Sequence, residues 1–445
     1  MKFINRLKRN YILTIVLCIA AVLRFYHIDY QSVWLDEIHT LNEANPQLSL
    51  PGVYSSVLGS DPHPPLYFIL VHYIFIIFGY SSFVLKMFSA ITGIAGIFAV
   101  YLLGKELMDK RAGIYAAVLV TLNYFHLYYS QEGRMYSLVF LTTTLSFYFL
   151  ARFIKYPSVK SAFVSAIFSL LMIYSHFFSL FTLFAQYLIL LFFIIKPFNV
   201  ARKKFIYYCL ISGITTLALY LPALGLLKKT ASITSIWIPM PALDVYTQIF
   251  KDFFGQSETV LFFALLAVAV FFIRLFKEND LEKFRLDPGK DKLVFSFILL
   301  FPWILVTLLL PLIRTYTSLP MLINRYFITI LPAVILIIAI GLSYIRNRIV
   351  RYGIFSAIIL FSVTDIVIVK KYYQAVNKTQ FREVSNYIIE KNLDKDPVVT
   401  SLGWYFPYFL SNTKIKMNIL DKPLEGYVAE MMKDSTQKRD RKSVV

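Results

Sequence analysis

The chain has 445 residues, 58% of them hydrophobic and 16% charged, with a mean hydropathy of +0.63 and a formal net charge of +19. Ordinary soluble domains are roughly 45–50% apolar and about 25% charged, so this is not one of them. The cations lie in short loops between apolar blocks, where positive charge orients a membrane protein, which argues against a nucleic-acid partner.

The apolar residues fall into about eleven blocks of roughly 17–22 residues, the length a helix needs to cross a bilayer. The expected fold is therefore an all-α polytopic bundle, with residues 1–369 as the membrane domain and residues 370–445 as a tail. Lys2, Arg6, Lys8 and Arg9 precede the apolar run Tyr11–Leu23. Because many further blocks follow, the run reads as an uncleaved first span with its N-terminus in the cytoplasm. The basic segment Lys105-Glu106-Leu107-Met108-Asp109-Lys110-Arg111 must also be cytoplasmic. An odd number of crossings then separates it from Arg24. Of the two apolar stretches between, Leu66–Phe78 is short and contains His72, so it reads as a juxtamembrane or re-entrant helix; Phe83–Leu103 reads as the span.

The rest alternates, with Gly113–Tyr128, Tyr136–Ala151, Ala162–Phe177, Ser179–Ile195, Phe205–Leu221, Thr259–Ile273, Leu293–Ile313, Tyr326–Ile345 and Ile354–Val369 as successive spans. Nearly every inner loop is then basic, with Lys228 and Lys229 the main departures. The tail lies outside, polar, with an amphipathic stretch Phe381–Lys391, a strand-like Pro397–Ser401 and a disordered end over 433–445, so it reads as small, α/β or partly disordered. Cys18 and Cys209 both lie inside apolar runs, which excludes a disulfide framework.

This topology gathers several polar motifs on the outer face. The first loop holds Trp34-Leu35-Asp36-Glu37, two adjacent carboxylates after a span. It continues to Asp61-Pro62-His63-Pro64-Pro65-Leu66-Tyr67, where the prolines fix the entry to an apolar helix and hold His63 near the bilayer surface. A later outer segment, Tyr129-Ser130-Gln131-Glu132-Gly133-Arg134-Met135-Tyr136, adds a carboxylate, a guanidinium and hydroxyls. His176, Arg314 and Asn324-Arg325-Tyr326 bring further cationic groups. Ionisable residues at span ends are often surface anchors; those facing inward are usually functional.

In this order the motifs resemble those of the GT-C superfamily of membrane glycosyltransferases, more closely its family-39-like, protein-mannosyltransferase-like and aminoarabinose-transferase-like branches. The stretch Asn324-Arg325-Tyr326 with Leu331-Pro332-Ala333, and a weaker echo at Phe381-Arg382-Glu383-Val384, belong to the same resemblance. It implies an inverting transfer of a sugar from a polyprenyl-phosphate donor to a lipid, glycan or protein acceptor, on the extracytoplasmic face of a plasma membrane. The leaving phosphate is already a stable anion, so the reaction needs a base and cations rather than the acid–base pair of a glycosidase. Asp36 matches the first-loop aspartate and is the expected base. Glu37 would orient the acceptor or tune Asp36, because two carboxylates so close tend to raise one pKa. Glu132 would orient substrate. Arg134, His63 and Arg325 are the phosphate-binding candidates, and Tyr136, His176 and Arg314 are further substrate-binding candidates.

Some branches carry two acids in the second motif, where this chain has Glu132 beside Gln131. No cofactor is required by this reading; if a divalent metal, Mg or Mn, takes part, Asp36 and Glu132 are its expected ligands. The competing reading is a lipid-linked-sugar flippase or transporter. It predicts internal repeats and charges near the bilayer midplane, whereas the acids here cluster at one face.

Overall fold

The computed structural model describes residues 11–60, 63–196, 201–232, 237–277, 286–392, 398–403, 405–411, 413–420 and 424–427. Asp61, Pro62 and Pro397, and the end of the tail read as disordered, lie outside these.

The described chain is helical almost throughout. Among the described residues six helices are long and apolar enough to cross a membrane: Ser82–Leu107, Tyr136–Lys155, Arg202–Ala231, Glu258–Lys277, Lys292–Thr317 and Arg348–Val369. Five shorter apolar helices accompany them: Tyr11–Phe25, Leu66–Phe78, Val159–Ser175, Ser179–Ile195 and Leu331–Tyr344. Helices are the natural solution in lipid, because each satisfies its own backbone polar groups. The Leu331–Tyr344 helix is the centre of the bundle, with every residue from Leu331 to Leu342 buried. Pro332 sits in its first turn, where a missing N–H costs nothing. Outward-facing Ile, Leu and Phe on Glu258–Lys277 and Arg202–Tyr220 stay exposed, as lipid-facing residues do.

Between lipid-covered helices there is no hydrophobic driving force, so close approach and buried polar contacts hold the bundle. A Cβ on Gly341 would stand 2.0 Å from the Ala267 carbonyl oxygen, so the helices Leu331–Tyr344 and Glu258–Lys277 touch backbone to side-chain-free backbone there. Gly341→Leu is expected to force these helices apart and lower the thermal midpoint of the protein in detergent, with a loss on the order of 1–3 kcal/mol from overpacking. An unchanged midpoint would show that the contact is not a real constraint. Polar glue appears at Gln186, whose amide nitrogen donates to Ser146 Oγ at 2.8 Å while its oxygen accepts from Ser169 Oγ at 2.8 Å.

One expected span is broken. The stretch Gly113–Tyr128 forms two helices, Lys110–Thr121 and Tyr124–Ser130. The Asn123 side chain caps the second, accepting from the His126 amide at 2.9 Å. The orphan carbonyls ending the first are met by Arg24, buried at the end of the opening helix, which donates to Val120 at 3.2 Å and Thr121 at 3.3 Å. A fully buried arginine thus makes the break satisfiable within the bundle. The stretch Tyr326–Ile345 likewise opens with a 3₁₀ turn, Asn324–Thr329, before its α-helix.

The loop after the first helix carries two short helices, Leu35–Glu43 and Leu50–Ser60. Past the bundle, Phe381–Asn392 packs on Phe406–Leu410 around Ile388, Phe406, Leu410 and Ile415. Strands β1 (Val398–Thr400) and β2 (Met417–Ile419) pair in parallel, Val398 opposite Met417, completing a small α/β unit.

Candidate active site

The site is assembled where the first loop, the segment 131–136 and the 3₁₀ turn at Asn324 meet. Trp34 precedes the helix Leu35–Glu43, and Asp36 and Glu37 fall in its first turn, where carboxylates suit the helix dipole. Successive residues of a helix point about 100° apart, so the two acids diverge. Asp36 remains partly open, with Oδ2 3.3 Å from Arg325 Nη1. Glu37 is fully buried. Its Oε1 accepts from the Gly133 amide at 2.6 Å, and its Oε2 from the Trp34 amide at 3.2 Å.

Glycine is required at 133: a Cβ there would lie 2.6 Å from Leu85 and 3.3 Å from Glu37 Oε1. The Glu-Gly-Arg sequence therefore lets the backbone reach Glu37 while its flanking side chains turn inward. Arg134 is buried, and its Nη1 donates to the Asp36 carbonyl and to Thr40 Oγ1, both at 3.0 Å. Its guanidinium braces the helix that presents Asp36. Gln131 ties the same segment to the first helix, its amide donating to the carbonyls of Arg24 at 3.1 Å and Tyr26 at 2.9 Å.

The Arg325 guanidinium, besides pairing with Asp36, lies over the rings of Trp34, Trp237 and Tyr136 at 5.5, 5.6 and 5.8 Å. Cation–π contact of this kind holds a guanidinium in place while leaving its edge open to an anion. Asn324 anchors the turn by donating to Asp252 Oδ2 at 2.9 Å. Beyond Tyr136 the rings of His176, Tyr326 and His63 continue the wall: His176 is 4.7 Å from Tyr326 and 5.4 Å from His63. Asp36, Arg325, Tyr136, His176 and His63 are thus brought together. Among the described residues no hydrogen bond or ion pair joins Arg314 to these groups.

Behind Asp36 lies a residue that sequence reading missed. Lys378 places its Nζ 3.2 Å from Glu37 Oε1 and 3.6 Å from Glu132 Oε2. It comes from the tail. After the last helix the chain folds back over the first loop: Gln31 Nε2 donates to the Ala375 carbonyl at 2.7 Å, and Gln31 Oε1 accepts from the amides of Asn377 and Lys378 at 3.1 and 3.3 Å. Arg382 fastens the next turn, donating to the carbonyls of Asp29 at 2.8 Å and Tyr30 at 2.6 Å. Residues 370–382 therefore pack against the first loop beside the candidate site. The one signal was Phe381-Arg382-Glu383-Val384, which begins three residues beyond Lys378. A second buried cation, Lys86, donates to the Gln31 carbonyl at 2.6 Å and also acts on Glu37.

These charges separate the two buried acids. Burial opposes ionisation of Glu37, but Lys378, Lys86 and the amides of Gly133 and Trp34 outweigh it and lower its pKa. Burial raises Glu132; Lys378 pulls back, Glu37 pushes further, and the carboxyl stands at about 7. Of the two buried acids, Glu132 rather than Glu37 carries the raised pKa. The folded state keeps this proton where an unfolded glutamate, at 4.5, has lost it. The stability it contributes is complete below about pH 4.5 and is lost as pH rises through about 7. The thermal midpoint in detergent is expected to fall between about pH 5 and about pH 8, and Glu132→Gln to flatten that fall. An equal fall in both proteins would remove Glu132 as the cause.

The comparisons fit this geometry. Residues 62–224, somewhat over a third of the chain, match the family described as dolichyl-phosphate-mannose-protein mannosyltransferase. A comparison with curated proteins finds no match. Among solved structures, ArnT from Cupriavidus metallidurans bound to undecaprenyl phosphate is similar, with a TM-score of 0.58 at 10% identity, covering 95% of this chain and 87% of that one. The archaeal oligosaccharyltransferase AglB from Archaeoglobus fulgidus, in complex with an inhibitory peptide and a dolichol-phosphate, gives 0.55 at 14% identity, covering 93% of this chain. The chain spans 65% of AglB's length. Another AglB structure, in complex with zinc and sulfate, gives 0.51 at 14% identity, covering 92% of this chain and 62% of that one.

Asp36 turns to Arg325, Lys378 lies between Glu132 and Glu37, and among the described residues no three His, Cys, Asp or Glu side chains are grouped to hold an ion. The chain is a polytopic helical membrane protein that shares the fold of the ArnT and AglB structures.

Proposed function

We propose that the protein is an inverting glycosyltransferase that moves a sugar from a polyprenyl-phosphate donor to an acceptor hydroxyl on the extracytoplasmic face of the plasma membrane. The observation that carries this reading is the Asp36–Arg325 pair, a carboxylate and a guanidinium 3.3 Å apart at the open rim of an otherwise closed acidic centre. A lipid phosphate entering beside the aromatic wall competes for Arg325 and takes over its charge-assisted hydrogen bonds. Asp36 is then released to face the acceptor. The acceptor oxygen attacks the anomeric carbon, the bond from that carbon to the phosphate oxygen breaks, and the phosphate leaves with the electron pair. The acceptor proton passes to Asp36. Arg325 neutralises the charge on the leaving phosphate, and His63 and His176 line its approach. Arg134 and Glu37 hold Asp36 in position from behind. The lipid phosphates in the ArnT and AglB structures support a polyprenyl-phosphate donor. The acceptor is a lipid, a glycan or a protein.

The test is release of free polyprenyl phosphate by the purified protein in lipid, given a panel of polyprenyl-phosphate sugars with an extract of candidate acceptors. Release with one donor class names the sugar. A folded protein that releases nothing from any donor, yet moves those lipids between leaflets, is a flippase instead.

A further inference from the structure

Glu37 and Glu132 are both buried, and both face a single ammonium group. Two carboxylates converging on one point are what a hard divalent cation takes as ligands. Glu132 Oε1 has no hydrogen-bond partner among the described residues, so a third carboxylate oxygen borders the same space. We propose that Lys378 is a built-in replacement for a divalent cation at this acidic centre, its ammonium holding the place from which an ion would bridge Glu37 and Glu132.

Two observations make Lys378 a fixed part rather than a passing side chain. Its Nζ is enclosed with the side chain only 7% exposed. Its backbone is bonded to Gln31, and the turn that follows is clamped by Arg382 to Asp29 and Tyr30. Lys86 already supplies a second buried positive charge near Glu37. A divalent ion added beside Lys378 would put like charges in contact in a poorly screened interior, where their repulsion is strong. The ion and the lysine are therefore alternatives. The replacement also ties the acidic centre to the tail: a metal would need only the first loop and the segment 131–136, whereas the ammonium arrives only when residues 370–382 are docked. Lys378 acts as a positioning cation, holding Glu37 and Glu132 behind the helix turn that presents Asp36.

The inference rests on the transferase reading only where activity is the readout, so the deciding experiment is a metal titration. Full-length protein in lipid nanodiscs, stripped with a chelator, is titrated with Mn²⁺ and followed by electron paramagnetic resonance. Wild type is compared with Lys378→Ala, Lys378→Gln and Lys378→Ala/Glu132→Gln. Wild type is expected to show no stoichiometric Mn²⁺ site. Lys378→Ala is expected to gain one, at least about tenfold tighter than any wild-type binding, equivalent to about 1.4 kcal/mol, and the double variant to lose it. Lys378→Gln keeps most of the side-chain volume and serves if the alanine variant does not fold. A stoichiometric site in wild type overturns the proposal, as does no gain in a folded single variant. Where a donor is known, wild-type transfer is expected to survive chelation. If no donor works, the transferase reading fails while the Mn²⁺ result still decides this one.

Discussion

Asp36→Asn is expected to lower transfer by about 10³-fold, the usual contribution of a general base, with little change in folding. The substitution keeps shape and first-turn position but removes the acceptor for the incoming proton. It also removes the charge paired with Arg325 at 3.3 Å, so the guanidinium has no internal competitor for a phosphate. Donor binding is therefore expected to hold or tighten while turnover collapses. A loss confined to turnover marks a group that acts in the transition state rather than in binding. The measurement is polyprenyl-phosphate release at saturating donor, beside a direct donor-binding titration. Turnover within about threefold of wild type would remove Asp36 as the base and move attention to Glu132.

Arg325→Ala is expected to cost about 10²–10³-fold in kcat/KM, the scale seen when a charge-stabilising donor is removed. Here donor binding is lost as well, in contrast to Asp36→Asn. Arg325→Lys restores the charge but not the planar fork that suits a phosphate, nor the broad face that lies over Trp34, Trp237 and Tyr136. It is expected to recover only part of the loss. Full recovery by lysine would show that a point charge suffices and that the aromatic cage is packing alone. An alanine variant with normal donor affinity would place the phosphate elsewhere.

Much of this was legible without coordinates. Composition and the spacing of apolar runs announce a polytopic helical protein, because the lipid core demands long uncharged helices whatever the packing. The motifs around Asp36, Glu132 and Arg325 suggest a site through their order along the chain, whereas the burial of Glu132 that sets it apart from a surface anchor is visible only in the fold. The break in the expected span Gly113–Tyr128 was not legible, since it depends on Arg24 arriving from another helix to satisfy Val120 and Thr121. Asp36 and Glu37, neighbours in sequence, were expected to act on each other; a helix turn sends one to Arg325 and the other beneath Gly133.

The amino-acid sequence determined the membrane setting and the run of helices, because both follow from local hydropathy. Only the tertiary structure decided the pairings that set the protonation of the buried acids. Burial and Coulomb interaction depend on distance in space, and Lys378 lies more than two hundred residues from Glu132 along the chain yet 3.6 Å from its carboxylate.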